Sequence, residues 1–171
     1  MVDIKKCLAC KSCELACAVA HSRAVVLEQA ITEQPRPQKR ISVESAEDFA
    51  VPIQCRHCEN APCITVCPSS AIHRHNPEDP VLIRADLCIG CKLCMMVCPF
   101  GVIELSADGN AVTKCDLCIE RTCEGQMPAC VVSCPTRALQ YCDVNDWTKK
   151  RRAKVAADAA SELKQKQGDK E

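Results

Sequence analysis

Residues 86–101 read DLCIGCKLCMMVCPFG, and the cysteines within them, Cys88, Cys91, Cys94 and Cys98, are separated by two, two and three residues with Pro99 after the last. The spacing has a mechanical meaning. Three thiolates from one loop can curl around a single iron–sulfur cube, with backbone N–H groups turned toward sulfur. The three-residue step places the fourth cysteine on a helical turn that faces away, toward a neighbouring cube. Proline then fixes the dihedral where the chain leaves.

Working outward, the same frame recurs. Upstream stand Cys7, Cys10, Cys13 and Cys17, then Cys55, Cys58, Cys63 and Cys67 with Pro68; downstream stand Cys115, Cys118, Cys130 and Cys134 with Pro135. Cys17 is followed by Ala18, so the first helix can run on. Sixteen of the 18 cysteines fall into these four runs, enough thiolates for four [4Fe-4S] clusters. In the last run Cys123 competes with Cys130 for the third place. Cys130 shares the x3-Cys-Pro ending of the other runs, so it is assigned as ligand and Cys123 as spare. Cys142 falls in an apolar stretch and reads as a small buried hydrophobe.

Composition agrees with metal rather than disulfides. Pairs such as Cys7 and Cys10 are too close in sequence for structural disulfides. Residues 1–11 resemble no secretory or twin-arginine leader, so a reducing, cytoplasmic location is expected. Zinc ribbons would need long spacers between Cys pairs, which these runs lack. Phe49, Phe100, Tyr141 and Trp147 are the only aromatic residues. Two domains of roughly 60 to 70 residues with so thin an organic core need a metal staple, and the apo chain is expected to be unfolded or molten.

The formal charge of zero counts cysteines as neutral. Sixteen bound thiolates, offset by four oxidised cubane cores, add about −8. From Lys149 to Glu171 eight Lys/Arg face four Asp/Glu, leaving 14 against 18 before it. The body is acidic and the tail basic. That tail alternates lysine with alanine and acid, which favours a solvated or partner-docking helix over nucleic-acid binding. No stretch is apolar enough to insert directly in a membrane.

Between the runs, helix is expected from Leu8 to about Val25, and an extended connector at Pro35-Arg36-Pro37. Strands are expected around Ile41–Val43, Phe49–Ile53 and Val81–Arg84. A hairpin turning at Asp108-Gly109 joins Val102–Leu105 to Ala111–Lys114, a closing strand spans Ala138–Val144, and a helix capped by Asn145 or Asp146 covers Trp147–Lys166. His21, His73 and His75 read as surface groups, and His57 as a neighbour of a cluster or a surface group rather than a ligand. Met95 and Met96 are expected to pack on a cluster, and Arg56, Lys92 and Arg121 to soften its field.

The segments CLACKSCELAC (7–17), PIQCRHCENAPCITVCPSSAI (52–72), DLCIGCKLCMMVCPFG and KCDLCIERTCEGQMPACVVSCPTRAL (114–139) resemble the four-cluster ferredoxin-type electron-transfer subunits of oxidoreductases. Relatives include small subunits of formate hydrogenlyase, dimethyl sulfoxide reductase, carbon monoxide dehydrogenase and tungsten aldehyde oxidoreductases. The resemblance covers Ile4 to about Val144 and implies an α+β fold of two nested dicluster ferredoxin-like modules with a C-terminal helix. Residues 1–48 and 106–145 would form the outer module, 49–105 the inserted inner one and 146–171 the charged helical tail. It implies one cluster on Cys7, Cys10, Cys13 and Cys134 and a second on Cys115, Cys118, Cys130 and Cys17. A third would use Cys55, Cys58, Cys63 and Cys98, and a fourth Cys88, Cys91, Cys94 and Cys67.

The resemblance further implies a non-catalytic subunit of anaerobic metabolism, relaying single electrons between a molybdenum, tungsten or nickel catalytic subunit and a second redox subunit. Wire-like self-association is compatible with it. An iron–sulfur redox sensor or regulatory protein is the alternative, although no nucleic-acid or effector module accompanies the cysteines. A catalytic iron–sulfur enzyme would need more, and neither a C-x3-C-x2-C triplet nor a Gly-rich phosphate loop is present.

Overall fold

Short elements are what a chain punctuated every few residues by a ligand loop can form. The computed structural model describes residues 1–168, with side chains to residue 161; the last three positions of the tail assigned to 146–171 lie outside the described residues. Helices α1 (Ser12–Ala20), α2 (Leu27–Ala30), α3 (Pro62–Thr65), α4 (Leu93–Val97), α5 (Ile119–Cys123) and α6 (Ala129–Val132) alternate with strands β1 (Ile41–Ala46), β2 (Phe49–Gln54), β3 (Ile72–His73), β4 (Leu82–Ile83), β5 (Glu104–Leu105) and β6 (Val112–Thr113). Pairing β1 with β2, β3 with β4 and β5 with β6 gives three antiparallel two-stranded sheets, a mixed α/β arrangement.

Two units are distinguishable: Val2–Leu139, and Met1 with the chain from Gln140 onward. Two apolar clusters fill the first. One gathers Ala61, Ile72, Val81, Cys94, Ile103 and Val112; the other gathers Cys13, Cys17, Ile41, Val43 and Leu139. Cysteine packs at both. Cys58, Cys63, Cys67, Cys88 and Cys98 border the first cluster, and Cys7, Cys130 and Cys134 the second.

A hydrogen-bond pattern occurs twice. The amide of Arg84, four residues before Cys88, donates to the Ala71 carbonyl at 2.8 Å, and Ile72 pairs with Ile83. The amide of Asp3, four residues before Cys7, donates to the Ala138 carbonyl at 2.8 Å, and Val2 bridges Leu139. The lead-in to the third run is thus tied to the exit of the second. The lead-in to the first is tied to the exit of the fourth in the same way.

Several expectations need correction. Helix α1 begins at Ser12, because Ala9 and Lys11 take left-handed φ of 56° and 58° in the ligand loop, which no helix accommodates. The strand expected over Ala138–Val144 is only the Val2–Leu139 bridge, since the short segment before Cys7 offers a single paired residue. The Asp108-Gly109 turn is correct, but the hairpin closes through Ser106 N–H to Ala111 carbonyl at 2.9 Å. In the second unit, α7 (Val144–Gly168) is capped by the Asp143 carboxylate, which accepts the Asn145 and Asp146 amides at 2.7 and 3.2 Å. Among the described residues no helix is long and apolar enough to cross a membrane.

Ile72 is only 2% exposed at the centre of the first cluster. Ile72→Ala is expected to cost about 2–5 kcal/mol, read as a lower urea midpoint for loss of visible absorbance; a midpoint within error of the unsubstituted protein would contradict this core assignment.

Candidate metal centres

Each ligand run is set by one backbone conformation built from different residues. The residue before the second cysteine is left-handed in all four: Ala9 (φ 56°), His57 (47°), Gly90 (65°) and Leu117 (60°). After the second cysteine, Lys11 and Lys92 are also left-handed at 58° and 64°. Past the fourth cysteine, the carbonyls of Cys67, Cys98 and Cys134 each accept from the amide three residues on, at 3.3, 3.2 and 3.2 Å, and that residue, Ser70, Gly101 or Arg137, is left-handed again. Such conformations cost non-glycine residues of order 1 kcal/mol each. They persist where a site over-determines them.

Backbone amides turn to sulfur, as thiolate ligands require. Arg40 N–H reaches Cys17 Sγ at 3.2 Å, His57 N–H reaches Cys55 Sγ at 3.4 Å, Leu117 N–H reaches Cys115 Sγ at 3.4 Å, and Ala138 N–H reaches Cys134 Sγ at 3.2 Å. None of the eighteen cysteines is disulfide-bonded.

The thiols lie in groups. An apolar cavity is lined by Cys55, Cys58, Cys63 and Cys98, together with His57 and Val81. Burial, then the thiols of Cys115, Cys17, Cys118 and Cys13, pushes Cys130 up to about 12. Burial does the same to Cys115, also to about 12, with Cys17, Asp116 and Cys55 adding their charge. Cys94, raised by burial, also feels Cys91, Cys63 and Cys67. Cys10 is lowered by its bonds to Ser12, against the nearby Cys134. Of the sixteen run cysteines only Cys10 and Cys91 are exposed.

Cys123 is exposed at the end of α5, whereas Cys130 is half-buried on α6. Cys142 is also exposed, not buried, because no strand forms there to cover it. Met96 is 82% exposed and does not pack, since it lies on the outward side of α4, while Met95 borders the first apolar cluster. Arg56 is exposed, its guanidinium 5.7 Å from the Phe100 ring.

A layer of polar groups supports the loops, and sequence spacing gave no sign of it. His21 is not a surface group: Nδ1 lies 2.7 Å from the Cys17 carbonyl, and Nε2 lies 3.1 Å from Asp116, which also pairs with Arg40. Burial opposes charge on His21, but the bonds to Asp116 and Cys17 outweigh it and raise the imidazole to about 9. Glu14 accepts the Val43 amide at 2.6 Å and pairs with Lys39 at 2.9 Å, fastening α1 to β1. Arg74 donates to the carbonyls of His57, Cys58 and Glu59 at 2.7, 2.8 and 3.0 Å, clamping the second loop.

His57 tests the fit of a sulfur-rich group directly. Its Nδ1 accepts the Val81 amide at 3.0 Å, which places the ring proton on Nε2. Burial, then the Lys114 charge, holds the ring down to about 4, so it is neutral. Nε2 is buried and has no partner among the described residues. An orphaned donor in the wall of a four-thiol cavity suits an iron–sulfur cluster, whose sulfurs accept hydrogen bonds.

Comparison with known proteins agrees with this chemistry. Residues 46–144 match the family described as 4Fe-4S dicluster domain. An iron–sulfur protein of Rhodospirillum rubrum is 44% identical over 151 residues, covering 81% of this chain and 78% of that protein. One of the chains of anaerobic dimethyl sulfoxide reductase from Escherichia coli K12 is 35% identical over 157 residues, covering 87% and 75%. With more than half its length matched and relatives this similar across most of it, the protein belongs to the 4Fe-4S dicluster domain family, iron–sulfur proteins of electron transfer.

Proposed function

We propose that the protein is a four-cluster relay, passing single electrons between a catalytic oxidoreductase subunit and a second redox subunit while performing no substrate chemistry itself. The repeated tie of lead-in to exit supports it most directly. Asp3 bonds Ala138 as Arg84 bonds Ala71, so runs one and four stand to each other as runs two and three do. That relation supports nested modules, 49–105 within 1–48 and 106–145, with 146–171 as a tail. It also supports the ligand exchange in which Cys17 and Cys134 trade places, and Cys67 and Cys98 likewise.

On this reading the outer sites are Cys7, Cys10, Cys13 with Cys134, and Cys115, Cys118, Cys130 with Cys17. The inner sites are Cys55, Cys58, Cys63 with Cys98, and Cys88, Cys91, Cys94 with Cys67. Neighbouring thiols suggest their order: Cys130 feels Cys13, Cys115 feels Cys55, and Cys94 feels Cys63. The exposed Cys10 and Cys91 then belong to the two terminal sites, and the eight ligands of the middle sites are all covered. A wire needs that distribution, insulated within and open at its ends. When bound, the clusters supply one-electron redox chemistry at potentials set by hydrogen bonds, charge and exposure.

One relative is by name a single polypeptide of a reductase. We extend that arrangement to this protein, with a molybdenum, tungsten or nickel enzyme as the catalytic partner. The helix α7, exposed from Lys149 to Ser161 and rich in basic residues, is the proposed docking element.

Anaerobically purified protein is expected to carry about sixteen irons per chain, with reducible cubane signals in electron paramagnetic resonance; a colourless protein with stoichiometric zinc would sink the proposal. Cys130→Ala is expected to lose about four irons while Cys123→Ala keeps all, and equal loss in both would reverse the assignment. Truncation at Asn145 is expected to abolish co-purification with the native partner, and an undiminished complex would remove the tail from the interface.

A further inference from the structure

Among the described residues Lys114 is the one charged side chain that is buried, at 4% exposure. Its Nζ donates to the Cys115 carbonyl at 3.0 Å and to the Val81 carbonyl. No carboxylate of the described residues pairs with it, and Asp116 is engaged by His21 and Arg40. Removing an ammonium from water costs more than two carbonyl bonds return, so such a charge implies negative charge nearby.

The two carbonyls locate that charge. Cys115 opens the fourth run. Val81 lines the cavity of Cys55, Cys58, Cys63 and Cys98, and its amide donates to His57 Nδ1 at 3.0 Å. Val81 is therefore held through both of its backbone polar groups, by His57 from the second loop and by Lys114 from the lead-in of the fourth. Burial pushes the Cys63 thiol up, and the Lys114 charge works against it, so the ammonium acts inside that cavity. The position is the junction between the run-four site of Cys115 and the run-two cavity.

We propose that Lys114 is a fixed cation shared by these two sites, and that it raises the reduction potential at the junction between the outer and inner modules. The inference rests on the four-cluster reading. Each reduction adds one electron and so one negative charge; a buried ammonium between the sites stabilises the reduced forms without moving a proton. Lys114 is a positioning and tuning residue rather than a ligand.

The test uses the full-length protein, loaded anaerobically, as Lys114→Met, Lys114→Gln and Lys114→Arg, with iron per chain and a redox titration followed by electron paramagnetic resonance. The neutral variants are expected to lower at least one midpoint enough to change the reduction equilibrium tenfold, about 59 mV for one electron, while Lys114→Arg stays near the unsubstituted protein. Unchanged midpoints in iron-replete neutral variants would overturn the proposal. So would equal iron loss in all three, which would make the lysine a packing element. Iron loss confined to the neutral variants would support a requirement for the charge. Iron well below sixteen in the unsubstituted protein would count against the four-cluster reading instead, and the Lys114 comparison would still be made at the clusters present.

Discussion

The structure turns on the crowding of thiols in apolar surroundings. Burial and mutual proximity push Cys13 to about 11 and Cys115 and Cys130 to about 12, so without metal these groups hold their protons. A bound metal inverts this, because its charge removes the proton and turns repulsion among thiolates into ligation. Cluster assembly and folding therefore share one free energy. The apolar clusters are small, and cysteines sit within both of them. Left-handed residues such as Ala9, Lys11 and Leu117 add a local cost that propensity cannot offset.

Legibility in the sequence divides along this line. The ligand loops were readable because spacing directly encodes how a short loop wraps a cube, and the β1–β2 and β5–β6 hairpins because alternation and Asp-Gly signal them locally. Strand β3 was not expected: two residues, Ile72 and His73, carry no period, and they are strand only because β4 lies opposite. The supporting polar layer was equally hidden. His21 and Asp116 are 95 residues apart, and Lys114 meets Val81 across 33, so no window of sequence contains either pair. His21 looked like a surface group for that reason, and Cys142 looked buried because apolar neighbours suggested a strand that has nothing to pair with.

Charge distribution gains a physical sense from the same layer. A body made acidic by bound thiolates would repel an incoming electron unless cations were placed inside it. Surface Lys and Arg are screened by water and salt and do little. Lys114 is not screened, and Arg74 sets its guanidinium against the loop carrying Cys55 and Cys58. Position inside the low-dielectric body, not the count of basic residues, decides which cations matter.

The four loops also show how one backbone yields unequal sites. The position before the second cysteine is left-handed throughout, yet it holds Ala9, His57, Gly90 and Leu117. Glycine fits that conformation without strain, so the other three side chains occupy it at a cost. At Gly90 a side chain is disfavoured for a second reason, since a Cβ there would lie 3.1 Å from the Asn110 carbonyl oxygen. His57 instead uses its side chain, holding the Val81 amide and bringing a neutral N–H donor to the cavity wall. Keeping the loop while changing this residue leaves the geometry of thiolate binding intact and alters the hydrogen bonds and polarity beside it, which are the quantities that set a cluster's potential.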